Sequence, residues 1–285
     1  MNKTYFMHEL IHYFSTIPPA HRALILAVGI AFFWLIEIVV PFKKLEYHKW
    51  QHAGINIFFT ITTMVVNFCL ALILLKTANW SQVHHFGILN VLPPLQPWLF
   101  AILGLLLLDF IGAYLVHYIE HKIPFLWRFH LIHHTDATID TTSANRHHPG
   151  ESVIRFVFTT IGVLVVGSPM WLVFLYQTLS VVANQFNHAN VVLPSKLDTL
   201  LGYIIVSPDM HKVHHHYKLP YTDSNYGNIF SVWDRLFGTY KTMSRDQLVY
   251  GIDTHMHAEE HNRLKNLLVI PFQKKRVAKL SDEKK

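Results

Sequence analysis

The sequence predicts an all-α integral membrane protein, with about four transmembrane helices or hairpins under a helical cap. Three observations predict it. Of 285 residues, 51% are hydrophobic and only 15% charged, against roughly 25% charged in an ordinary soluble domain. Mean hydropathy is +0.26. Several apolar stretches reach the roughly 20 residues that a helix needs to cross a hydrocarbon core.

The first stretch runs from about Ala23 to Pro41, the second from about Ile55 to Leu75, and the third from about Trp98 to His121. A fourth, about Val153 to Phe186, is broken by Gly167-Ser168-Pro169 and reads as a helical hairpin. Residues 1–21 lack a short apolar core followed by a small-residue cleavage site, so the first span is expected to be retained. Lys43, Lys44 and Lys49 follow span one, whereas residues 77–96 contain no Lys or Arg. The positive-inside rule then places 42–54 in the cytoplasm and 77–96 outside. Span three returns the chain to the cytoplasmic side, and the two-armed hairpin ends there. Three regions follow: 1–96 with two spans, 97–243 with the later spans and the cap, and 244–285 as a basic cytoplasmic tail. Turn signals at Ser207-Pro208-Asp209 and Asn225-Tyr226-Gly227 mark a compact cytoplasmic cap over about 195–245.

Other classes are excluded early. Cys69 is the only cysteine, so no intrachain disulfide or cysteine-built metal site is expected. The net charge of +6 comes from residues flanking apolar segments or in the tail, not from a basic–aromatic stripe, so no nucleic-acid partner is expected. Lys274, Lys275, Arg276, Lys279, Lys284 and Lys285 outnumber Asp282 and Glu283, which suits either anionic headgroups or simple solvation.

The 22 histidines nearly equal the 24 Lys and Arg. His117 and His121 are four apart, which puts both rings on one helical face. His130, His133 and His134 follow i, i+3, i+4 spacing, and His211, His214 and His215 repeat it. His188 ends the hairpin. Imidazole is a common neutral ligand for iron, zinc, copper and nickel. Eight or nine such nitrogens exceed what one ion needs, so the cap is expected to carry a dimetal site. His8, His12, His21, His48, His52, His84, His85, His255, His257 and His261 lack such an arrangement and read as surface or interfacial residues. His147 and His216 read as neighbours of the clusters.

The segments HKIPFLWRFHLIHHTD, TTSANRHHPGE, FNHANVVLP, SPDMHKVHHHY and TDSNYGNIFSVWDRLFGTY occur in this order over about Leu107 to Tyr240. Together they resemble the fatty acid hydroxylase superfamily, also called the sterol desaturase family, and within it the bacterial sterol-desaturase-like branch. The resemblance implies that His117, His121, His130, His133, His134, His188, His211, His214 and His215 bind two irons, with His148 a weaker candidate. Asn187 stands where many relatives have histidine, and Asn184 where some have a ligand. Either the set is one ligand short, or Asn184 or Gln185 acts through water. Glu151, Asp209, Asn225 and Asp234 are expected to orient ligands from behind. Asp109, a costly charge inside span three, either does the same or locks helices together. Trp233, Phe237 and Tyr226 are expected to pack the cap, and Glu37 resembles a family position of open role.

The implied activity is O2-dependent hydroxylation or desaturation of a sterol, fatty acyl or related lipid at the cytoplasmic face of an inner or plasma membrane. Zinc can occupy such a site in purified protein. No flavin, nicotinamide or haem fingerprint is present, so a separate ferredoxin- or cytochrome-type protein is expected to supply electrons. One rival is a zinc-dependent membrane lipid hydrolase using the same histidines. The other is a metal transporter, whose ligands would sit nearer the bilayer midplane.

Overall fold

A computed structural model describes residues 3–44, 47–274 and 276. Among these residues every regular element is helical, and strand-like pairing is limited to isolated bridges at Pro41–Val191, Ile205–Phe230 and His216–Tyr250. The main helices are α1 (Lys3–Thr16), α2 (Pro19–Val39), α3 (Lys49–Val83), α4 (Pro97–Lys122), α5 (Pro124–His134), α6 (Pro149–Val166), α7 (Met170–His188), α8 (Pro208–His214) and α9 (Leu264–Val269). Proline opens α2, α4, α5, α6 and α8, the position where its missing N–H costs nothing and its fixed φ suits the first turn.

Among the described residues, four helices are long and apolar enough to cross a membrane: Pro19–Val39, Lys49–Val91, Pro97–Lys122 and Pro149–Val166. Their outward faces carry residues such as Phe68 and Leu72. Their inward faces meet in a core of Leu74, Ala78, Leu108, Phe156, Val163, Leu172 and Val173, which joins α3, α4, α6 and α7. α1 closes one side, with Phe14 and Ile17 against Leu175.

The expected hairpin is present. Gly167 ends α6 at φ +76°, a left-handed conformation that glycine adopts without a Cβ clash, and Pro169 leads into α7. Gln82 and Asn90 both donate to the Gly167 carbonyl, at 2.9 and 3.1 Å. The hairpin turn and the lysine-free loop therefore share one end of the bundle. Pro41, Val191, His52 and Asp136 meet at the other end, and every histidine cluster lies there.

Two features depart from the sequence reading. α4 contains a π-helical segment, Phe110–Leu115, which inserts a register shift between Asp109 and the His117/His121 pair. Part of the expected tail is also core. Leu248 and Tyr250 bury against Ile139 and Val213. Ile252, Leu267 and Ile270 bury against Ile55, Phe59, Leu131 and Ile132. These contacts pack parts of 248–270 against the rest of the fold, so the chain does not become a free tail at 244. The tail residues Lys275, Lys279, Asp282, Glu283, Lys284 and Lys285 lie outside the described residues.

Candidate metal centre

α4 ends in His117 and His121, α5 in His130, His133 and His134, and α7 in His188. α8 carries His211 and His214, and His215 follows it. The helix ends converge, and their rings sort into two sets. His117, His121, His130, His134 and His214 bring five nitrogens within 4.8 Å of one another. His133, His188, His211 and His215 do the same with four. All nine predicted positions are in these sets. His148 is not: its Nδ1 accepts from the Gly150 N–H at 2.9 Å and caps α6, because Pro149 starts that helix and leaves its first N–H groups unpaired.

The tautomers are fixed from outside. His117 Nδ1 donates to the Tyr226 carbonyl at 2.9 Å, and His214 Nδ1 to the Ser224 carbonyl at 2.6 Å. His188 Nδ1 donates to the Asn184 carbonyl at 2.8 Å. His130 Nδ1 lies 2.8 Å from Glu151, and His121 Nδ1 lies 3.1 Å from Asp223. Donation at Nδ1 leaves a lone pair on Nε2, and those Nε2 atoms face inward. His117 and His130 Nε2 are 3.1 Å apart, and His134 and His130 Nε2 3.2 Å. In the other set His188 Nε2 lies 3.1 Å from both His133 and His211 Nε2 and 3.2 Å from His215 Nε2. Facing lone pairs at that distance repel. A cation between them reverses the sign, and neighbouring nitrogens sit about 3 Å apart around a metal with bonds of about 2.1 Å. Buried Nε2 atoms of His121 and His214 have no protein partner among the described residues. The donor set therefore fits two metal ions.

Burial also keeps these rings neutral. Desolvation holds His130, His133, His134, His211, His214 and His215 well below the ordinary imidazole value of 6.5, and neighbouring imidazoles push the same way. A neutral ring is the ligand form.

The expected orienting residues divide. Glu151 contacts His130 directly and also lies 2.8 Å from His147 Nδ1. Asn225 and Asp234 act one step back. Asn225 holds the Met210 and Lys241 carbonyls, and Asp234 accepts from the Tyr226 and Gly227 N–H groups. Together they fix the loop whose carbonyls hold His117 and His214. Asp109 touches no histidine. It accepts from the N–H groups of Ile229 and Phe230 and from Trp233 Nε1, which locks span three to the cap. Asp209 pairs with Arg245, 2.5 Å away, not with a cluster histidine, because its side chain points off α8 away from His211. Asn187 donates to the Asn228 carbonyl and Gln185 to the Leu26 carbonyl, so both have structural partners. Tyr226 packs as expected, but against His117, His121 and His214, with centroids 5.1–5.7 Å away.

Several contributors were not foreseen. Asp223 holds His121 and Lys122. His147 stacks on His133 at 4.7 Å. Arg155 bridges Glu120 and Glu151. His52, expected at the surface, is buried between Asp136 (2.9 Å) and Asp140 (3.3 Å). Arg146, also buried, donates to the Asn56 side chain and the Ile132 carbonyl. This network braces the loop that follows His134. The available signal was the pair of carboxylates in TDATID, directly after a candidate ligand.

A cavity of about 90 Å³ adjoins the four-histidine set. His117, His133, His147, His188 and His211 line it, with Arg155, Ser180, Asn184, Tyr226, Gly227 and Asn228 among the other lining residues.

The fatty acid hydroxylase family model matches residues 101–239, just under half the chain, and all nine clustered histidines fall within it. Over these residues the chain is similar to the fatty acid hydroxylase/sterol desaturase superfamily. It is 27% identical to ornithine lipid hydroxylase OlsE of Rhizobium tropici over 144 residues, which is 50% of this chain and 42% of that protein. Human (Homo sapiens) alkylglycerol monooxygenase is 31% identical over 185 residues, 62% of this chain and 37% of that one. A cholesterol 25-hydroxylase-like protein of Danio rerio is 29% identical over 136 residues, 47% and 53% of the two. The matches thus span about a third to a half of these relatives. They come from a bacterium and from animals, so they do not single out the bacterial branch that the motifs suggest. No solved structure matches the chain.

Proposed function

We propose that this chain is a member of the fatty acid hydroxylase superfamily and an O2-dependent di-iron oxidoreductase that hydroxylates a membrane lipid. The observation that supports it most is the sorting of nine buried histidines into two sets whose Nε2 lone pairs face one another. Iron bound by these sets would supply activation of O2 and removal of hydrogen from an unreactive C–H bond, with electrons from a separate ferredoxin- or cytochrome-type protein. All-nitrogen, uncharged donors differ from the carboxylate-rich sites of soluble di-iron bundles.

The chain's own contribution is positional. Asp223, Glu151 and the carbonyls of Tyr226, Ser224 and Asn184 set ring orientation and tautomer. The cavity beside His133, His188 and His211 admits a reacting carbon, while enclosure of the rings limits water at the site. The printed names of the relatives describe an ornithine lipid, an alkylglycerol and a cholesterol-type substrate, each oxidised by a hydroxylase or monooxygenase. They favour hydroxylation over desaturation. On this reading residues 97–243 carry the reaction, and the histidine end faces the cytoplasm beneath Lys43, Lys44 and Lys49.

The test is lipid profiling under an 18O2 atmosphere, comparing cells that express the protein with cells that express its His133→Ala variant. The expected result is a lipid carrying one 18O atom only with the unaltered protein. Turnover of a lipid without O2 uptake would overturn the reading in favour of a zinc hydrolase.

A further inference from the structure

Asp109 lies inside α4, a membrane-length helix, yet its carboxylate is spent on the backbone of the cap. Twelve residue steps separate it from Pro97, about 18 Å along the axis. The exposed Trp98 marks that end as a bilayer interface. Asp109 therefore falls within the roughly 30 Å hydrocarbon core, and His117 lies about 12 Å nearer the opposite boundary. Residues 229–233, bound to Asp109, must sit at its depth.

The rest of this segment shares that depth. The Phe237 ring stacks on Phe110 and Tyr114 at 5.5 and 5.4 Å, and Trp233 lies 5.0 Å from Phe110. Ser231 N–H donates to the Ile204 carbonyl, and Ile205 bridges to Phe230, which brings residues 203–205 alongside. The outward side chains are Leu200, Tyr203, Ile204, Val232, Leu236 and Phe237, with Leu236 and Ile204 about two-thirds exposed at 66% and 68%. Over 200–207 and 226–240 the only charged residues are Asp234 and Arg235. Asp234 is buried under backbone N–H groups, and Arg235 lies over the Tyr240 and Tyr203 rings and donates to the Gly202 carbonyl.

Irregular backbone survives at membrane depth only where protein satisfies it, and this segment meets that condition. Asp109 and Asp234 together accept four backbone N–H groups, from Tyr226, Gly227, Ile229 and Phe230. Val206 N–H donates to the Ile229 carbonyl, and Thr239 and Tyr240 N–H to that of Asp234. In water six large apolar side chains would face solvent together.

We propose that residues 200–206 and 226–240 form a re-entrant wedge embedded in the acyl-chain region of the leaflet on the histidine side. The lipid-facing surface of α4 continues onto the wedge through Phe110 and Phe237, so the occupant of the apolar face is acyl chain. The expected aqueous cap is thus partly submerged. Tyr226, Gly227 and Asn228 line the cavity from this wedge, so an acyl chain reaches the histidines without leaving hydrocarbon.

Nitroxide labels test this in phosphatidylcholine–phosphatidylglycerol vesicles. Leu236→Cys and Ile204→Cys are made in a Cys69→Ser background, with native Cys69, exposed on α3, as the lipid-facing control and Glu259→Cys as the aqueous one. The expected result is faster relaxation by O2 than by a water-soluble nickel chelate at 236 and 204, as at Cys69, with the ratio reversed at 259. Labels at 236 and 204 that follow the Glu259 pattern would overturn the wedge. The unaltered protein gives a second readout. A lipid with a diazirine in its acyl chain should tag peptides from 226–240 as well as the spans, and tags confined to the spans would overturn it equally.

Discussion

The two histidine sets are built on one plan and finished differently. Each HxxHH segment gives its i, i+4 pair to one set and its middle histidine to the other. His130 and His134 join His214, whereas His211 and His215 join His133. A third helix completes each set. For the five-histidine set it is α4, with the i, i+4 pair His117 and His121. For the four-histidine set it is α7, with His188 and, four residues earlier, Asn184. Asn184 thus stands where a fifth ring would be, and it lines the cavity. The outer supports differ too. Four of the five rings in the larger set have an Nδ1 partner, whereas His133, His211 and His215 have none. The larger set is held by more partners, and only His117 of its rings lines the cavity. The smaller is less constrained and open on the cavity side, which suits it to meet O2 and substrate.

Removing one ring should break the difference most severely. His133→Ala leaves three donors in the smaller set, and it is expected to retain one metal ion per chain instead of two and to lose lipid oxidation. Metal analysis of the purified variant checks this, and two retained ions would contradict it. Asp223→Ala removes a support of the larger set only. It should weaken the tighter of two metal-binding phases by about 10- to 100-fold in a chelator competition and leave the weaker phase unmoved.

Acid should separate the sets from ordinary surface histidine sites. Because burial lowers the pKa of rings in both sets, protons compete for the lone pairs only well below pH 6.5. Metal content should stay level as pH falls through 6.5 and drop further down, and a midpoint at 6.5 would count against enclosure. The smallest effect is expected from Asn184→His, which makes the sets alike. It should tighten the second metal by less than about tenfold and slow turnover by filling the open side. Unchanged metal affinity would show that residue 184 does not face the ion.

Helical spacing made all nine rings legible, because i, i+3, i+4 positions share a face whatever the tertiary structure. It did not reveal that His133 and His214 cross to opposite sets, since that depends on how α5 and α8 approach each other. Loop charge and hairpin parity put the clusters at one end, which the joint placement of Gly167 with residues 81–90 matches. Partners distant in sequence stayed invisible. Asp223 lies 102 residues from His121, and Asp136 lies 84 from His52. Asp109 illustrates the same limit. A charge in a span signals purpose, but only the fold shows that it answers cap backbone and not a histidine.

Each set is expected to hold one metal ion. A cryo-EM density map of the protein purified with its native metal, paired with elemental analysis, tests it most directly. The expected result is two strong peaks, one amid Nε2 of His117, His121, His130, His134 and His214, the other amid Nε2 of His133, His188, His211 and His215, with iron near two per chain. A single peak shared by both sets, or rings bridged only by water, would contradict it.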